Sequence, residues 1–207
     1  MDLGELAGRF PSLWHVTFSG GAQRILDEGL KPASVALAEL GRGHEASAFR
    51  GAITPITGTG ATKVTLRDQK VSRKDPGPCL DGITPEEWWT VVNSRSYLFC
   101  RARDTERLVA SYLGRGYDQE VLTFDTAGLL ARCAGSVEVT TVNAGVFPRK
   151  TGVTRGRWTF VPLAEFDAHL GSKIKEVTVT SEIEVPPSAV RGRTMRRAGE
   201  VGVTPSS

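Results

Sequence analysis

The chain has 207 residues, 40% hydrophobic and 24% charged, with a formal net charge of +3. That mix is the one expected of a soluble globular protein with one well-buried core, and the length is short for two full domains. No apolar run approaches the roughly 20 residues of a membrane span. The N-terminus starts acidic, without the basic-then-apolar layout of a secretory signal, so the expected location is the cytoplasm, with no membrane partner. Cys79, Cys100 and Cys133 are widely spaced and make no CxxC pair or zinc-ligand cluster, so no metal site is expected.

The first apolar run, Leu13–Thr17, reads as a short strand. The segment Gly20–Leu30 follows, with Ala22, Ile25, Leu26 and Leu30 on one helical stripe and Gly29 at the capping turn. A weaker helical stretch runs from about Ser34 to Phe49, broken by Gly41 and Gly43. Residues 51–62 are rich in Gly and Thr and read as a loop, and VTLRDQ after them as a strand ending in polar residues. The clearest helix start is Thr84-Pro85-Glu86-Glu87, where Thr84 caps, Pro85 fits the first helical position and Glu87 completes a capping box. That helix is expected to end near Asn93.

SYLFC then reads as a buried strand and Asp104–Leu113 as a helix. The rest is mainly β: EVLTF, SVEVTTV, WTFV and IKEVTVT. Helices early and strands late predict an α+β fold, not alternating βαβ units. No GxGxxG follows a strand and no P-loop glycine-lysine phrase is present, so neither a Rossmann site nor a P-loop is supported. Residues 1–190 are expected to form one domain. Residues 191–207, opening RGRTMRR, read as a basic, flexible tail; a solvated end is the plain interpretation and contact with nucleic acid or another polyanion the alternative.

Of the three histidines, His44 and His169 lie in polar, loop-like stretches and read as surface residues. His15 lies inside the first apolar strand, where a satisfied core residue is the simplest reading. Its surroundings suggest more. The segment LWHVTFSGGAQRILDEGLKP resembles the opening of the ADP-ribosyltransferase superfamily branch that includes DarT-type DNA ADP-ribosyltransferases and RNA 2′-phosphotransferases. Trp14, His15, Val16, Thr17, Ile25, Glu28, Gly29 and Leu30 carry the resemblance.

The resemblance implies a split β-sheet core with N-terminal helices, and NAD as substrate. It places His15, Val16, Thr17 and Gly29 around the nicotinamide riboside, with one histidine nitrogen donating to a ribose hydroxyl. It implies an aromatic residue stacked on nicotinamide: Tyr97 or Phe99, with Tyr97 preferred because its hydroxyl can sit at a wet edge. It also implies a catalytic glutamate late in the chain. The phrase IKEVTVTSEIEVPPSAV aligns that residue with Glu176, and Glu182 is the next choice. Strand parity groups Glu176 with Thr178 and Thr180, so a solvated polar face competes with the catalytic reading.

Leu66-Arg67-Asp68-Gln69, Thr84–Trp88, Asn93-Ser94-Arg95 and Val142–Gly145 also resemble an uncharacterised bacterial family of this size. Arg67 and Arg95 would suit the NAD pyrophosphate, or could be structural ion-pair partners. Asn143 could simply shape a turn. The expected activity is transfer of ADP-ribose from NAD to a macromolecule, a nucleic-acid base (DNA or RNA) ahead of a protein. Such an enzyme would act as a toxin or defence effector with an antitoxin or immunity partner. NAD hydrolysis and non-catalytic nucleotide or nucleic-acid binding are the alternatives.

Overall fold

Asp2 accepts the backbone N–H of Glu5, whose carboxylate returns to the Asp2 N–H, and this reciprocal cap starts helix α1 (Leu3–Arg9). The computed structural model describes residues 1–57, 63–69, 77–145 and 154–200. Strand β1 (Ser12–Phe18) follows, then α2 (Gly21–Glu28), α3 (Ala33–Glu39), β2 (Thr54–Thr57) and β3 (Lys63–Leu66). Helix α4 (Pro85–Asn93) carries the expected Thr84–Glu87 capping box. It leads into β4 (Ser96–Phe99), α5 (Ala102–Leu113), β5 (Gln119–Asp125) and α6 (Thr126–Leu130). Strands β6 (Val137–Thr140), β7 (Val161–Pro162), β8 (Glu176–Val179) and β9 (Val190–Arg196) complete the order. The mixed α+β class stands, with a large antiparallel sheet and helices near the N-terminus.

Seven strands form that sheet in the order β7-β6-β8-β4-β1-β5-β9, and β2 pairs with β3 apart from it. The pairing is uneven. Strands β1 and β5 share seven residue pairs and β4 and β8 share four, but β1 and β4 meet only at Trp14 and Phe99. That single registered pair is the junction between β1-β5-β9 and β4-β8-β6-β7 within the one sheet. On one face, Leu13, Leu98, Leu122, Val139 and Val177 form the main core with Leu6 and with Ala22 of α2. Each such buried aliphatic stabilises the fold by about 1.5–3 kcal/mol, which fixes which residues of a strand point inward. On the other face, Val16 and Val121 pack against Val109 and Leu113 of α5. Trp88, Trp89 and Val92 of α4 form a third cluster with Phe160.

Four expectations need correction. Part of the expected 51–62 loop is β2, because the alternating Thr54-Pro55-Ile56-Thr57 pairs with β3; residues 58–62 lie outside the described residues. The expected strand WTFV is mostly a 3-10 turn at Arg157–Thr159, and only Val161 and Pro162 pair, against β6. Pro162 has no N–H to give a further strand, which holds β7 to the sheet edge.

The expected flexible tail from residue 191 begins instead as β9, hydrogen-bonded to β5. Its arginines find carboxylates brought near by folding: Arg191 pairs with Asp125, Arg193 with the buried Glu120, and Arg196 with Glu106. Residues 201–207 of the expected tail lie outside the described residues. Finally, Glu176 and Thr178 do not form a solvated face, since every residue of β8 is buried between β4 and β6. No helix among the described residues is long and apolar enough to cross a membrane.

Candidate functional site

Where the β1–β4 ladder stops, a cavity of about 350 Å³ opens. Strand β1 contributes His15, Val16 and Thr17 to its wall, and the turn after α2 contributes Gly29. Arg67, Arg95 and Tyr97 line it further round, and β8 brings Glu176. All the site residues proposed from sequence therefore border one space. Glu182 lies behind Gly29 instead, against Lys31. Gly29 is required there: its φ is +89°, and an added Cβ would stand 2.9 Å from the Ile183 carbonyl oxygen. Gly21 is likewise required, because a Cβ would fall 2.3 Å from Thr17 Oγ1 at the start of α2.

His15 reaches from β1 to β4. Its Nδ1 lies 3.0 Å from the Tyr97 carbonyl oxygen. A carbonyl can only accept, so Nδ1 carries the proton. Burial, with help from the Arg67 charge, lowers the imidazole pKa to about 4 against the pull of that hydrogen bond. The ring is neutral near pH 7, and Nε2 holds a lone pair. Sequence reasoning expected a nitrogen that donates to a ribose hydroxyl; the free nitrogen accepts instead. The same bond ties the two half-sheets together beside the cavity.

The Tyr97 hydroxyl does not sit at a wet edge. It donates to the Val92 carbonyl oxygen at 3.0 Å, at the end of α4, and the ring meets Phe160 edge-on at 6.4 Å. Burial and the nearby Glu176 raise its pKa well above the ordinary phenol value, so the hydroxyl stays protonated. The ring is anchored at its hydroxyl end, and Tyr97 lines the cavity. Phe99 borders the cavity too, but packs into the α5 cluster.

Glu176 is only 5% exposed. Burial raises its pKa to about 7, opposed by an N–H from Ala144 and by Arg155, and reinforced by Asp104. The Ala144 N–H donates to Oε2 at 3.1 Å, the only hydrogen bond to this carboxylate from the described residues. That donor comes from the Val142–Gly145 turn, which Asn143 shapes by accepting the Gly145 N–H. Asn143 thus shapes a turn, as sequence suggested. The donated N–H belongs to the backbone and had no side-chain signal to reveal it.

The arginines divide into two groups. Arg95 makes a bidentate pair with Glu138 at 2.6 and 3.0 Å and donates to the Val91 carbonyl oxygen at 2.6 Å. Its charge is spent on structure, the ion-pair alternative that the sequence left open beside pyrophosphate. Arg67 has no ion pair among the described residues. Its Nη2 donates to the Val16 carbonyl oxygen and to Gln119 Oε1, and its guanidinium lies 4.1 Å from the Tyr112 ring centre. Arg50, not singled out from sequence, also lines the cavity. No cluster of three or more potential metal ligands occurs among the described residues.

Residues 11–189 match the family described as "Family of unknown function (DUF7002)". The chain belongs to this family. The match spans β1 to the turn before β9, so it takes in every residue of the cavity wall named above. No curated protein matches the chain.

Proposed function

We propose that this member of the family cleaves the nicotinamide–ribose bond of NAD and transfers ADP-ribose to a macromolecule, a nucleic-acid base. The observation that carries the reading is the presence, in the wall of one cavity, of a neutral histidine and a buried glutamate. The resemblance of Leu13–Pro32 to the DarT-type opening, and the single residue pair that joins β1 to β4, support an ADP-ribosyltransferase-like core.

In this mechanism a ribose hydroxyl donates to His15 Nε2, and nicotinamide stacks on the anchored Tyr97 ring. The glycosidic bond breaks with its electron pair leaving on the nicotinamide nitrogen, and the ribosyl carbon takes on oxocarbenium character. Ionised Glu176 stabilises that cation from within a poorly hydrated wall, where a charge acts more strongly than in water. The acceptor nucleophile then bonds to the same carbon, and its proton passes to Glu176. A carboxylate with a pKa near 7 is suited to both parts, since it is substantially ionised at neutral pH yet basic enough to take a proton. An enzyme of this kind would act as a toxin or defence effector held in check by a neutralising partner.

The choice of acceptor rests on the resemblance. Arg191, Arg193 and Arg196 are engaged by carboxylates, so the basic C-terminal run adds little to it. Incubation with NAD labelled in its adenosine half, together with DNA, RNA or protein, tests the proposal. Label on a nucleic acid, lost in Glu176→Gln, is the expected result. Label on protein, or free ADP-ribose alone, would move the acceptor to a side chain or to water. NAD left intact under every condition would overturn the reading.

A further inference from the structure

The cations around the cavity are unequally matched by anions. Arg24 is paired with Glu28 and Glu39, Lys31 with Glu39, and Arg95 with Glu138. Arg50 and Arg67 have no carboxylate within ion-pair distance among the described residues. Asp68, the nearest in sequence to Arg67, is taken by Arg115 at 3.0 Å and by the Tyr112 hydroxyl. A guanidinium removed from water without a counter-charge is costly, and folds keep such groups where something else supplies the charge.

We infer that Arg50 and Arg67 form one diphosphate-binding site in the wall of the cavity. Arg67 is fixed by its two acceptors and by the faces of Phe18 and Tyr112, 4.7 and 4.1 Å from its central carbon. Its Nη1 is buried and has no hydrogen-bond partner. That atom is closed to water as the cavity stands, so a small rotation of the guanidinium must accompany its contact with an anion. Arg50 is joined to Arg67 directly, Nε donating to the Arg67 carbonyl oxygen at 3.3 Å. Its Nη1 donates to Asn93 Oδ1 at 2.7 Å, while Nη2 has no partner among the described residues.

Asn93 and Gln69 are the positioning residues. Gln69 accepts the Arg50 N–H through Oε1 and donates to Asn93 Oδ1 through Nε2, both at 2.8 Å. Asn93 Nδ2 is held by the Ala46 carbonyl oxygen. Both amides are buried, so the end of α4 and the segment after β3 hold Arg50 in place.

Two neighbouring cations with no ion-paired carboxylate among the described residues call for a ligand with two adjacent negative charges. A diphosphate bridge meets that need, and guanidinium forks match phosphate oxygens in geometry. A carboxylate leaves one cation unmatched, and a monophosphate gathers its charge on one phosphorus, whereas a diphosphate spreads it over two. The inference deepens the NAD reading and rests on it for the nucleotide, but diphosphate binding itself does not require that NAD be cleaved.

Calorimetric titration of the full chain with inorganic pyrophosphate, ADP, AMP and orthophosphate at one ionic strength tests it. Pyrophosphate and ADP should bind at least about tenfold more tightly than orthophosphate and AMP, respectively. Arg67→Gln and Arg50→Gln should each weaken ADP by about tenfold or more, with Arg50→Lys between them and the wild type. Gln69→Glu places a carboxylate beside an intact Arg50 and should also weaken ADP, which covers the case in which Arg50→Gln fails to fold. Absence of pyrophosphate binding, or ADP affinity unchanged in the folded variants, would overturn the site. Binding of ADP through these arginines without any NAD cleavage would leave the site standing and remove the ADP-ribosyltransferase reading instead.

Discussion

The two parts of the divided sheet bury different chemistry. In β1-β5-β9 the ladders are long, and ion pairs fasten the outer strand: Glu120, 1% exposed, accepts from Arg193 of β9 and from the Ala22 N–H in the first turn of α2. This half presents a neutral histidine to the cavity. In β4-β8-β6-β7 the strands are short, and the half presents a carboxyl group whose pKa has moved to about 7. One residue pair and the His15–Tyr97 hydrogen bond join them beside the cavity. The lesson is that a sheet can make a site by ending a ladder early: the unpaired stretch of β1 and β4 frees space, and opposite protonation behaviour then flanks it.

Substitutions on either side should separate these roles. Glu176→Gln keeps the shape and the Ala144 contact but removes the charge, so the rate of NAD cleavage should fall roughly 1,000-fold, within the range for a lost acid–base group, with the Michaelis constant little changed. His15→Ala on the opposite side should cost about 100-fold, the scale of a misplaced substrate, and should raise the Michaelis constant as well. Steady-state nicotinamide release distinguishes the two patterns; equal effects on both constants would erase the division of labour.

Stability offers a comparison that does not depend on activity. The Glu176 pKa is raised from 4.5 to about 7, so its contribution is greatest below about 4.5 and is lost as pH rises through 7. The His15 pKa is lowered from 6.5 to about 4, so its contribution is present above 6.5 and is lost as pH falls toward 4. Each shift corresponds to a contribution on the order of 3 kcal/mol, and in the overlapping window their slopes oppose. Denaturant unfolding between about pH 4.5 and 6.5 should therefore show Glu176→Gln gaining stability with rising pH more steeply than the wild type. Identical slopes would mean that Glu176 is ionised normally.

A smaller effect probes the fastening of the outer strand. Arg193→Gln leaves the Glu120 carboxylate buried without its cation and should cost about 1–2 kcal/mol, reduced because Arg193 is itself partly exposed. A thermal midpoint equal to that of the wild type would show that β9 is held by its backbone ladder alone.

Much of the local structure was legible because its causes are local. The Thr84–Glu87 cap, the α2 stripe and the apolar run around His15 each state their element within a few residues. The same capping logic stands at Asp2 and Glu5, without a proline to mark it. The cavity wall was also largely legible, through resemblance, down to Glu176. What stayed hidden depends on distant partners. The β9 arginines resemble a solvated charge run until Glu120, Asp125 and Glu106 are brought beside them. Arg95 and Arg67 look alike in sequence, and only the fold gives Glu138 to one and, among the described residues, no ion-paired carboxylate to the other. Arg50 carried no motif, because its place is set by the amides of Gln69 and Asn93, 19 and 43 residues away.

The most direct test of the central claim is nicotinamide release from NAD by the wild type and Glu176→Gln, measured at equal NAD occupancy in the presence of nucleic acid. The account predicts that both proteins bind NAD with comparable affinity and that only the wild type releases nicotinamide and labels the polymer. Equal release by the two proteins, or no NAD binding by either, would contradict it.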